Sequence, residues 1–176
     1  MKQRRKIFNY DNVNEEKIVN STSEMFLNSI TACGCLIYRI RNKKVEMLLI
    51  KYDDKNWSKL DDFGGKISLT DKDIFSCAIR KTSSETNKII DDEKIADLLC
   101  DNNYATFYNK QSKYFMYLVE GNKNYLNDTS IFGDEEKEGQ IKRTISWYKY
   151  DDIKQNLSLR LLQNNKLHHY VDNLQK

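Results

Sequence analysis

The chain has no proline among its 176 residues, an absence that, with abundant Asn and Lys, reads as the coding bias of an AT-rich genome and bears little on chemistry. Histidine is nearly absent too: His168 and His169 are the two. Neighbours on a helix point about 100° apart, so this pair cannot chelate one ion together, and a histidine-based catalytic triad is not expected. The pair is expected on a solvated helix. Four cysteines, Cys33, Cys35, Cys77 and Cys100, lack the C-x2-C spacing of a zinc site and are expected as reduced core thiols. No apolar run approaches the ~18 residues of a membrane span, and the basic start "MKQRRK" is not followed by a signal-peptide apolar region. A soluble, cytoplasmic protein is expected. A net charge of +3 is too small to announce nucleic-acid binding, and the basic start is expected to be a solvated tail.

What is present is aromatic and patterned. Eleven Tyr and seven Phe argue against disorder although 31% of residues are charged. Residues 1–28 read as a polar extension, with a short helix over 21–30, and residues 29–176 as one domain. "ACGCLIYRIR" and "VEMLLIKY" form an expected β-hairpin across "NKK". A loop and short strand lead through "LDDFGGK" to a helix from Ile74 to about Thr86, N-capped by Asp71 or Asp73, with Phe75, Ala78 and Ile79 on one face. A second helix is read over 91–100, strands over 104–110 and 113–121, and a long acidic loop over 124–140. A strand follows over 141–150, then a C-terminal helix with Leu157, Leu161 and Leu167 inward. The class is α/β, a mixed sheet with helices packed against it.

The order of strands, aromatic-Gly-Gly-Lys turn, polar loop and Arg-bearing helix resembles the Nudix hydrolase superfamily. The resemblance covers roughly residues 30–175 and implies an α-β-α sandwich around a central mixed β-sheet. The family's box is G-x5-E-x7-R-E-U-x-E-E-x-G-U, with U a bulky aliphatic residue. Gly65 matches the leading glycine, and Asp71 stands at the first Glu position. Arg80 lies one residue late, which implies a one-residue insertion, and "RKTSSETN" then departs from the pattern. Thr82 replaces the aliphatic residue and Asn87 the box glycine. "ISWYKYDDI" resembles the Trp-bearing strand before the family's last helix. The wording from "FGGK" to "ETN" also resembles Nudix proteins of large cytoplasmic DNA viruses.

The resemblance implies cleavage of a nucleoside diphosphate linked to another group, with Mg²⁺ held by helix carboxylates at i, i+3 and i+4. Those positions are Lys81, Ser84 and Glu85, so the box is degenerate: Glu85 is the one carboxylate left to act as catalytic residue or metal ligand. Lys81, one turn earlier, is expected to pair with Glu85. It also sets a like charge about 4 Å from the ion's place, costing ~4 kcal/mol at an effective dielectric of 20. Asp61, Asp62, Asp71, Asp73, Glu120, Asp134, Glu135, Glu136 and Glu138 are candidates to compensate.

Arg80 and Asp71 are expected to be structural partners within the box. Lys81, Gly64, Gly65, Lys66 and Trp57 are the candidate phosphate and ligand contacts, with Trp57 stacking a base and Phe63 in the core. Gly64 and Gly65 serve either the turn's backbone geometry or the approach of a phosphate. Three readings stay open. One is a catalytically impaired Nudix-fold protein, without a required cofactor, that binds a nucleotide, an RNA 5′ end or a cap-like group. Another is a working Mg²⁺-dependent hydrolase of nucleoside diphosphates or capped RNA. The last is a structural or protein-interaction module with an unused pocket. A homodimer is compatible with each.

Overall fold

The structure is a computed structural model that describes residues 29–54, 59–100 and 104–176, with the side chain of Cys100 left aside. Strands β1 (Ala32–Arg41) and β2 (Lys44–Tyr52) form the expected hairpin, in register Ile37 with Leu48 and Arg41 with Lys44. Asn42 and Lys43 make its two-residue turn with φ of 51° and 59°. Positive φ at both positions matches the turn to the right-handed twist of the strands.

The short strands β3 (Leu60–Asp61) and β4 (Phe63–Lys66) add to β2 and β1 respectively, both antiparallel. Helix α1 spans Ile74–Glu85 and α2 spans Asp92–Cys100. The hairpin of β5 (Tyr104–Asn109) and β6 (Tyr114–Glu120) follows, with β6 parallel to β1. Strands β7 (Glu135–Glu136) and β8 (Ile141–Lys149) complete the sheet in the order β5-β6-β1-β2-β8-β7.

Side-chain alternation explains why β1 and β2 read as continuous apolar runs. Cys33, Cys35 and Ile37 join Leu48 and Ile50 under α1 and α2. Leu36 and Tyr38 join Val45, Met47 and Leu49 on the opposite face, beneath Leu157, Leu161, Leu167 and Val171 of the C-terminal region. A strand buried on both faces has no polar side. The result is an α-β-α sandwich with a central mixed sheet.

Four expectations change. The C-terminal segment is not one helix: α3 (Tyr150–Ile153), α4 (Leu159–Leu162) and α5 (Asn165–Leu174) are separate. Leu157 and Ser158 between them are extended, and Ser158 N–H donates to Leu60 O at 2.8 Å. The segment 124–140 is anchored, with Leu126 and Phe132 buried and β7 paired to β8. Cys33 of β1 and Cys77 of α1 are not separate thiols but form a disulfide, their Cα atoms 6.5 Å apart; Cys35 is free and buried. His168 is a tether rather than a solvated side chain: Tyr150 O–H donates to its Nδ1 at 2.5 Å and its Nε2 donates to Leu162 O at 2.8 Å. The helix expected over 21–30 falls almost wholly outside the described residues. Among the described residues no helix is long and apolar enough to cross a membrane.

Candidate ligand site

Helix α1 begins at a reciprocal cap: Asp73 accepts Ser76 N–H at 2.7 Å while Asp73 N–H donates to Ser76 Oγ at 3.0 Å. One turn on, Arg80 reaches back to Asp71 with two hydrogen bonds, Nε to Oδ1 at 2.7 Å and Nη2 to Oδ2 at 2.6 Å. Asp71 also accepts Ser68 N–H at 2.7 Å. The Arg80 fork holds its carboxyl below the ordinary Asp range. Arg80 and Asp71 staple helix to loop, and Asp71 and Asp73 are both engaged by neighbouring groups.

Glu85 at the end of α1 is buried and accepts the Gly64 N–H at 2.9 Å. Burial pushes its carboxyl well above the ordinary range, against the pull of Arg160 and Lys81. The expected Lys81–Glu85 ion pair does not form among the described residues. Lys81 instead lies across the backbone of Gly65, where an added Cβ would come within 2.8 Å of its Cε and 3.1 Å of its Nζ. Ser84 turns out of the site and donates to Glu138.

Gly64 and Gly65 form strand rather than a turn, and neither has positive φ. Gly64 is required by close approach: a Cβ there would lie 1.9 Å from the Tyr114 hydroxyl and 2.7 Å from Cys33 O. That hydroxyl donates to Asp62 Oδ2 at 2.7 Å. Asp61 and Asp62 are both buried, and Arg160 from α4 closes on them, Nε to Asp61 Oδ1 at 2.8 Å and Nη2 to Asp62 Oδ1 at 2.7 Å. Ser158 Oγ also donates to Asp61 Oδ1, at 2.7 Å. Burial pushes Asp61 up to about 7, against Arg160. Burial alone would lower Arg160, but the charges of Asp62, Tyr114, Asp61 and Glu85 together hold it well above its ordinary value.

These groups border a cavity of about 530 Å³ lined by Gly64, Gly65, Lys66, Lys81, Glu85 and Arg160, with Tyr52, Asp61 and Glu136 among the others. Its charge is mixed rather than basic. The remaining candidates lie elsewhere. Phe63 is core. Glu120 pairs with Tyr38 on β1, six residues beyond cavity-lining Ala32 and so ~20 Å along the strand. Of the loop acids Asp134, Glu135, Glu136 and Glu138, Glu136 alone lines the cavity. Trp57 lies outside the described residues.

The carboxylates do not fit a magnesium ion held in the family manner. Mg²⁺ demands oxygen ligands in near-octahedral geometry. Here Glu85 receives an N–H, Asp61 and Asp62 receive a guanidinium, and Lys81 adds a second cation at the same cavity. Among the described residues no group of three or more His, Cys, Asp or Glu is arranged to hold a metal ion.

Two contributors, Arg160 and Arg143, escaped the sequence reading, and a third, Asn87, does more than hold the place of a glycine. Arg160 sat in a segment read as plain helix. Asn87 adopts φ 55° where the family has glycine, and its amide donates to Phe132 O and Glu135 O while accepting Lys137 N–H at 2.9 Å. Fully buried Arg143 donates to Glu85 O at 2.9 Å and to Phe132 O and Gly133 O. Arg160 and the side-chain hydrogen bonds of Asn87 have no local signal, because each acts on residues distant in the chain. Arg143 in an alternating strand was the one detectable anomaly.

No family model matches the chain, and no curated protein sequence does. Solved structures resemble it at low identity. The C. elegans Ap4A hydrolase is 16% identical with a TM-score of 0.48, covering 81% of this chain and 94% of that one. The NUDIX domain of Shewanella oneidensis NrtR, complexed with ADP ribose, is 11% identical with a TM-score of 0.49, covering 92% and 99%. The Nudix hydrolase RenU from M. Smegmatis is 10% identical with a TM-score of 0.48, covering 82% and 87%.

Proposed function

We propose that this chain is a Nudix-like protein with impaired hydrolysis that binds the phosphate-bearing part of a nucleotide, an RNA 5′ end or a cap-like group. The observation that carries the reading is the fate of Glu85, the last carboxylate of the box. It accepts the Gly64 N–H, while the neighbouring Lys81 lies over Gly65 at the same cavity. A point-charge ammonium suits a phosphate oxygen, and Lys66 and Lys81 both line the space. Trp57 is the proposed base-stacking residue, worth ~1–3 kcal/mol per base.

The hydrolase reading draws on Asp61, Glu85 and Glu136 sharing the cavity. Calorimetric titration with ADP and with a cap analogue, in EDTA and in Mg²⁺, separates the two. Binding that survives EDTA and weakens in Lys81→Ala supports the proposal. Mg²⁺-dependent turnover of capped RNA or dinucleoside polyphosphates, abolished by Glu85→Gln, overturns it.

A further inference from the structure

We propose that Arg160 is the resident cation of this cavity, standing among Asp61, Asp62 and Glu85 where a divalent ion would have to sit and offering its free Nη1 to an anionic ligand. The second half rests on the ligand reading above; the first stands without it. Two adjacent carboxylates, Asp61 and Asp62, are buried at 3% and 0% exposure, a placement that requires a counter-charge. Arg160 supplies it from two edges, through Nε to Asp61 Oδ1 and through Nη2 to Asp62 Oδ1 and, at 3.2 Å, to Asp62 O.

The guanidinium cannot easily swing away. Its carbon lies 4.3 Å from the centroid of the Tyr114 ring, and that ring is fixed in turn by its own bond to Asp62. The backbone beneath is pinned as well, since Arg160 O accepts Asn109 Nδ2 at 3.0 Å and Ser158 bonds both Leu60 O and Asp61. The extended break at Leu157 and Ser158 is what aims α4 at the site. Nη1 has no partner among the described residues, and Arg160 lines the cavity beside Lys81 and Glu85. A planar fork anchored on two carboxylates is pre-organised for an oxyanion in a way that a flexible ammonium is not.

The test has a metal arm and a ligand arm. Mn²⁺ binding is followed by electron paramagnetic resonance of the free ion. Wild type is expected to take up no Mn²⁺ at the cavity, whereas Arg160→Gln, which uncovers the carboxylates, gains a site that Asp61→Asn in the same chain removes. A wild-type Mn²⁺ site lost in Glu85→Gln, or a folded Arg160→Gln variant with none, overturns the resident cation.

In the ligand arm ADP and inorganic pyrophosphate are titrated in EDTA. Arg160→Lys, which keeps the charge and guards against a misfolded Gln variant, is expected to exclude Mn²⁺ and to bind ADP roughly tenfold or more weakly, the loss of a charge-assisted hydrogen bond. Unchanged ADP affinity in Arg160→Lys overturns the anion contact. Wild type that binds neither ADP nor pyrophosphate, with the metal arm as expected, sinks the nucleotide reading and supports Arg160 as resident cation alone.

Discussion

Arg160 and Asp61 are 99 residues apart in the chain and 2.8 Å apart in space. Their contact ties the last third of the fold to the strand before the glycine pair, and it makes Asp62 tolerable as a fully buried carboxylate beside it. Removing one partner of a buried ion pair leaves the other charge uncompensated. Arg160→Ala is therefore expected to cost about 3–5 kcal/mol, measured by urea unfolding. In Asp61→Asn/Asp62→Asn the same substitution should cost much less.

The same pair predicts a pH dependence of stability. Burial pushes Asp61 up to about 7, whereas an unfolded Asp titrates near 3.9, so the native state binds a proton that the unfolded chain releases. Stability from this group is present below about pH 4 and is lost as pH rises through about 7. The effect amounts to ~4 kcal/mol at most. Glu85, also raised by burial, acts in the same direction. Urea unfolding between about pH 5 and about pH 8 should show stability falling, with a shallower slope in Asp61→Asn; a rise with pH would contradict it.

Period and turn chemistry made most of the sandwich legible. The β1–β2 hairpin, α1 with its Asp73 cap, and the β5–β6 pair follow from local apolar pattern and capping residues. The C-terminal break did not, because Leu157 and Ser158 are extended by their contacts with Leu60 and Asp61 rather than by any local breaker. In the site, Lys81, Ser84 and Glu85 were readable as one face of a helix with a single carboxylate. The direction of Lys81 was not, since helical spacing offers Glu85 as its partner and cannot report the open backbone at Gly65. Arg160 was invisible for the same reason as the break that delivers it.

The two glycines of β4 should behave differently. At Gly64 an added Cβ meets the Tyr114 hydroxyl and two backbone atoms, including Gly34 Cα at 2.9 Å. Overpacking of this kind costs about 1–3 kcal/mol or more, so Gly64→Ala should lower the urea midpoint clearly. At Gly65 the Cβ meets only the flexible end of Lys81. Gly65→Ala is expected to unfold near wild type while displacing Lys81, and so to weaken ADP binding with little loss of stability.

Asn87 separates two roles that glycine would merge. Its left-handed φ of 55° ends the turn after α1, and Gly would adopt that conformation with less strain. Its amide also makes three hydrogen bonds to residues 132–137, each worth about 0.5–1.5 kcal/mol. Asn87→Gly should therefore leave α1 intact and loosen that segment. Hydrogen exchange is the measurement: faster exchange at Lys137 N–H and its neighbours, with α1 amides unchanged. Equal protection of the segment in both proteins would mean that Arg143, which also holds Phe132 O and Gly133 O, is sufficient by itself.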